Sequence, residues 1–88
     1  MTKIEVESFL GTTNAAVVRL PGRKFPGIVL QGDSLKILLD SAAEVAQLSR
    51  GSNVPGLEES AEEVVRILNG YRQAYEEALS SHNQPLPY

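Results

Sequence analysis

The 88-residue sequence predicts an α+β fold: a three-stranded antiparallel sheet followed by an antiparallel two-helix hairpin packed on one face, in the order β-β-β-α-α. Three observations carry this. Apolar residues in the first third recur every second position, the spacing of a half-buried strand. Clusters of Gly, Pro, Thr and Asn break that third into short runs. From Ser34 onward the apolar spacing changes to steps of three and four, the signature of helices.

In residues 3–10, Ile4, Val6, Ser8 and Leu10 share one face and Lys3, Glu5 and Glu7 the other, with Phe9 as the exception. Gly11-Thr12-Thr13-Asn14 is a turn, and a second strand over residues 15–20 places Ala16, Val18 and Leu20 on one face. Residues 21–27 hold two Pro and two Gly and form a loop, because Pro presets φ and Gly accepts positive φ. Ile28-Val29-Leu30-Gln31 makes a third strand.

Asp33 is placed to cap a helix over residues 34–50, with Gly51 as the left-handed residue past its end. Its apolar stripe is Leu35, Leu38, Leu39, Ala42, Val45 and Ala46. A second helix begins near Leu57, where Glu58, Glu59, Glu62 and Glu63 suit the positive end of the helix dipole. Leu57, Ala61, Val64, Leu68, Tyr71, Tyr75 and Ala78 then follow a heptad spacing, widened by Val65 and Leu79. Asn69-Gly70 interrupts this seam with poor helix formers, but the periodicity runs straight through, and one continuous helix to residue 80 is expected. Residues 1–80 therefore form a single domain, and the Pro-punctuated residues 81–88 a flexible C-terminal tail.

A second helix of this length spans about 36 Å, against roughly 30 Å for the diameter of a compact chain of this size. The first helix cannot cover it. The far end of the seam, Leu68, Tyr71, Tyr75, Ala78 and Leu79, is the expected homodimer interface.

Apolar residues at 42% and charged residues at 22% are near the globular average, so a packed core is expected and wholesale disorder is not. The absence of cysteine removes disulfide scaffolds, thiolate metal sites and cysteine nucleophiles. The N-terminus alternates charge with apolar residues, unlike a signal peptide, and no apolar run reaches membrane-spanning length; a cytoplasmic protein is expected. The net charge of −3 is unevenly spread. Lys3, Arg19, Arg23, Lys24 and Lys36 leave the first 36 residues positive, and the remainder is strongly acidic. Nucleic-acid binding by the whole domain is thereby disfavoured, since a polyanion meets a repulsive field unless the cations are concentrated.

Gly32-Asp33-Ser34-Leu35 spells the nucleophile motif of the GDSL esterases. The rest of that chemistry is missing. A serine nucleophile needs a base oriented by an acid, the only histidine is His82, and Leu79 stands where the esterases have their aspartate. Asp33 and Ser34 read instead as the start of a helix, His82 as a solvated tail residue, and the paired glutamates as a solvated helix face. No cofactor or metal site is expected.

The loop is different. Arg23, Lys24 and Phe25 stand between two Pro/Gly hinges with Arg19 close by, a cationic and aromatic set that could grip a phosphate or an acidic partner, or stack a base. The bland alternative is that Phe25 folds back over the core edge while the cations are solvated.

The stretch Ala15-Ala16-Val17-Val18-Arg19-Leu20-Pro21-Gly22-Arg23-Lys24-Phe25-Pro26-Gly27-Ile28-Val29-Leu30-Gln31-Gly32-Asp33-Ser34-Leu35, followed by two helical segments, resembles a family of short bacterial proteins of unknown function. The resemblance implies a stand-alone bacterial protein and carries no activity or site residue with it. Because no group of residues assembles a reaction centre, the sequence points to a non-catalytic protein-interaction module rather than an enzyme. Its expected partners are a second copy of itself and another protein. The alternative is a binder of phosphate-bearing ligands or single-stranded nucleic acid through Arg19, Arg23, Lys24 and Phe25.

Overall fold

Three strands pair in chain order, β1 (Glu7–Leu10), β2 (Ala15–Arg19) and β3 (Gly27–Leu30), all antiparallel. Two helices follow, α1 (Gly32–Ser49) and α2 (Leu57–Ser81). The computed structural model describes residues 1–12 and 14–88; Thr13, in the middle of the first expected turn, lies outside the described residues.

β1 is shorter than the alternation in the sequence suggests. Glu7 stands opposite Arg19 and Ser8 opposite Val18, but Leu10 stands opposite Val17, so Phe9 is the extra residue of a bulge. The bulge explains why Phe9 breaks the alternation, and it moves Leu10 off the face that Ser8 occupies. Residues 3–6 are not in a strand, because β2 ends opposite Glu7 and Pro21-Gly22 turns the chain away. Gly22 has φ 76° and the Arg23 N–H donates to the Leu20 carbonyl at 3.1 Å, the geometry of a type II turn with Pro21 ahead of a left-handed residue. In β2 and β3, Ala15 faces Leu30, Val17 faces Ile28 and Ala16 faces Val29.

α1 starts two residues earlier than expected. Gln31, in an extended conformation, precedes it without a side-chain cap, and the Leu35 N–H donates to the Gln31 carbonyl at 3.0 Å. Asp33 is therefore inside the first turn rather than at the cap, where its carboxylate accepts from the Ser34 N–H at 2.8 Å and favours the helix dipole. The other end is as read: Gly51 is left-handed with φ 77°. α2 runs unbroken through Asn69-Gly70, and a side chain at Gly70 would meet no neighbouring atom, so no helix crosses there. It closes in a Schellman motif: Gln84 N–H to the Leu79 carbonyl at 2.8 Å, Asn83 N–H to the Ser80 carbonyl at 3.2 Å, and Asn83 left-handed.

The helices pack on each other along Leu35, Leu39 and Ala46 of α1 and Ala61 of α2, with Val65, Leu68, Arg72, Tyr75 and Leu79 half-buried beside them. Leu38 and Val45, expected in the stripe, are on its rim and exposed. Tyr75 lies directly over Gly32, where any Cβ would come within 2.2 Å of the ring edge and hydroxyl.

Among the described residues the sheet meets the hairpin at one corner. There Ile28 and Leu30 stand opposite Leu35 and Tyr71 around an open apolar cavity of about 340 Å³. Ile28 is 64% exposed and Tyr71 60%. The hairpin is thus beside the sheet's apolar face and leaves most of it uncovered. The radius of gyration is 16.1 Å, where a compact chain of this length has about 12 Å. The accessible surface is 6952 Å², about 1,900 Å² more than a folded 9.5 kDa monomer ordinarily exposes.

Candidate interaction surface

Two regions compete for a functional reading, the basic loop and the helical hairpin. In the loop, the four residues singled out from the sequence are neighbours: Arg19 and Arg23 line one open cavity with Glu5 and Glu7, and Arg23 and Phe25 line another. Arg19 is already engaged. Its Nε and Nη2 donate to the two Glu7 carboxylate oxygens at 3.0 and 2.8 Å, its Nη1 donates to the Lys24 carbonyl at 3.4 Å, and its guanidinium sits 5.6 Å from the centre of the Phe9 ring. That fork holds β1 to β2 and braces the loop. The bond from Arg19, and then its charge, hold the Glu7 carboxyl below the usual carboxylate range, and Glu7 raises Arg19 in return.

Arg23, Lys24 and Phe25 remain. Phe25 is 74% exposed and does not fold back over the core. The Lys24 Nζ stands 5.4 Å from its ring centre, a cation–π contact on the surface. Arg23 and Phe25 border an apolar cavity of about 230 Å³ with Val18, Leu20, Ile28 and Val29.

In the hairpin, about 100° of rotation per residue sorts the side chains into two sides flanking the α1–α2 seam. One side is polar and self-satisfied. Lys36 pairs with Asp40 on α1. On α2, Arg72 donates to Glu76 at 3.0 Å and to the Asn69 amide oxygen at 2.8 Å. The tail returns over this side: the Tyr88 hydroxyl donates to Glu76 at 2.8 Å, and the Lys36 ammonium is 5.9 Å from the centre of its ring. Of residues 81–88, expected as a loose tail, Tyr88 thus lies against Glu76 and Lys36. The Tyr88 hydroxyl, then Arg72, hold the Glu76 carboxyl below its usual range; burial, then Glu76, raise Tyr88.

The opposite side carries no charge at all. By the same rotation it displays Ser34, Leu38, Ser41 and Val45 from α1, and Ser60, Val64, Ile67, Tyr71, Ala74 and Ala78 from α2. Leu38, Val45, Val64, Ile67 and Tyr71 are all exposed. Every charged residue of both helices lies on the polar side or on the outer backs.

The five seam residues expected at a dimer interface are therefore divided. Leu68, Tyr75 and Leu79 turn into the α1–α2 contact, Tyr75 against Gly32, while Tyr71 and Ala78 sit on the open, charge-free side. The heptad spacing of the second helix passes over Ile67, while Leu38 and Val45 belong to the first helix's expected buried stripe. Their signal was in the distribution of charge around each helix rather than in the apolar spacing. Ser34 of the esterase-like motif and His82, the only histidine, share no hydrogen bond.

What fold and surface define is a small α+β protein of β-β-β-α-α order with one side of its helical hairpin apolar and open. The chain belongs to a family of unknown function, DUF6959, whose model matches residues 1–88, in keeping with the resemblance carried by residues 15–35. No curated protein and no solved structure matches it. Among the described residues no helix is long and apolar enough to cross a membrane.

Proposed function

We propose that the protein is a non-catalytic protein-interaction module that works as a homodimer. The observation that carries this reading is the uncharged, exposed apolar side of the hairpin. The centre of a protein interface is depleted of charge in just this way. A contiguous apolar surface on a soluble chain marks a contact site, because burying it stabilises by about 25 cal/mol per Å². The surface excess of the isolated chain is also about twice the roughly 800 Å² that one partner contributes to a standard interface. Sedimentation equilibrium tests the reading: a dimer is expected at micromolar concentration, and a strict monomer at high concentration overturns it.

A second reading rests on the exposure of Phe25 beside Lys24 and the unpaired Arg23 side chain, which together offer two cations and a ring to a phosphate-bearing ligand or a single-stranded nucleic acid. With Arg19 bound to Glu7 the set is one cation smaller than the sequence suggests. Binding of a labelled single-stranded oligonucleotide that falls steeply with salt and vanishes in the joint R23A/K24A variant would support it. Binding unchanged in that variant would sink it.

A further inference from the structure

We infer that the second copy docks hairpin to hairpin, so that the uncharged sides of two α1–α2 pairs close into one four-helix core. This rests on the homodimer reading and names the element that covers the open side.

A symmetric dimer needs a patch that complements itself. The hairpin side has that character. On α1 small and large residues alternate (Ser34, Leu38, Ser41, Val45), and on α2 a large run (Val64, Ile67, Tyr71) is flanked by small residues (Ser60, Ala74, Ala78), so ridges of one copy find grooves in the other. Two helix pairs with apolar faces and no charge between them are the ingredients of a four-helix bundle. α1 is about 27 Å long and a helix about 10 Å wide, so the side measures roughly 27 by 20 Å in projection, on the scale that one partner of a stable interface contributes.

The sheet is the competing occupant. Its apolar residues Ile28 and Leu30 line an open cavity with their own Leu35 and Tyr71, so that corner is already partly occupied by the chain itself. Leu38, Val45, Val64 and Ile67 lie beyond it, and their own chain leaves each about half exposed.

Lysine substitutions separate these arrangements. V64K and I67K place a charge at positions already exposed to water, so each chain is expected to keep its helical circular dichroism and to sediment as a monomer. V29K, on the sheet, is expected to remain a dimer. Because the sequence has no cysteine, single I67C and V29C variants report cover directly. Maleimide labelling at position 67 is expected to slow by about tenfold or more from dilute to concentrated protein, as mass action fills the dimer, while position 29 stays constant. A wild-type monomer overturns the homodimer reading and this inference together. A dimer that survives V64K and I67K, or that protects position 29 rather than 67, overturns the hairpin arrangement alone.

Discussion

On one side of the hairpin Lys36, Asp40, Arg72, Glu76 and Tyr88 answer one another's charges and hydrogen bonds, while on the other Leu38, Val45, Val64, Ile67 and Tyr71 face water. Both sides hang from the same narrow seam. The difference lies in what each can supply for itself. Polar side chains are satisfied by neighbours three or four residues along the same helix, or by water. Apolar side chains gain only when another surface removes them from water, and the chain's own sheet reaches just the corner near Tyr71. Within the chain the polar side finds its own partners, and the apolar side is left about half exposed.

The largest expected effect separates the seam from the open side. Leu39 is buried between the helices, and L39A should lower unfolding free energy by about 2–4 kcal/mol through lost burial and the cavity left behind. I67A removes a comparable side chain from the open side. Measured by urea unfolding at concentrations dilute enough to populate the monomer, it should cost under about 1 kcal/mol. Equal costs for the two would mean that the open side is closed within the chain, and the contrast would collapse.

A smaller effect tests the joint between sheet and hairpin. Only Gln31 separates β3 from α1, and the Tyr75 ring edge and hydroxyl lie within 2.2 Å of where a Gly32 Cβ would be. G32A forces the ring to swing away and should cost about 1–2 kcal/mol, the scale of overpacking relieved by a movable side chain. The same substitution combined with Y75L should cost less than the two single changes added together, because the clash then has no ring to act on. Additive costs would show that the ring does not seat there.

These contrasts also show where the sequence was informative. Element order, the left-handed Gly51 and the unbroken helix through Asn69-Gly70 follow from local chemistry and periodicity, and both act over a few residues. The bulge at Phe9 left a visible break in the alternation without saying which residue was extra. The start of α1 was misplaced because Asp33 serves a first turn almost as well as a cap. The cover of each apolar face was not legible, since periodicity shows that a face is apolar and not what removes it from water. Likewise the fork from Arg19 to Glu7 joins residues twelve apart, a pairing fixed by strand register rather than by spacing along one element. The charge-free side of the hairpin was legible in principle, because helical rotation alone assigns every lysine, arginine, aspartate and glutamate of α1 and α2 to the remaining surface.

The smallest effect belongs to the polar side and concerns the tail. Glu76 accepts hydrogen bonds from Tyr88 and Arg72, and both favour its charged form, so its pKa in the folded chain lies below that of the unfolded chain. A depressed carboxyl contributes stability that is fully present above the unfolded pKa and is lost as pH falls through the folded value. Acid should therefore release Tyr88 before it melts the helices, because the seam between them is apolar and the latch is not. Tyr88 ring signals followed by NMR through an acid titration should move toward those of a free tyrosine while the amide signals of α2 hold. In Y88F the Glu76 carboxyl should titrate closer to its ordinary range, with Arg72 still holding part of the depression. A Glu76 titration unchanged in Y88F would show that the tail is not latched there, and that the polar side is completed by its own helices alone.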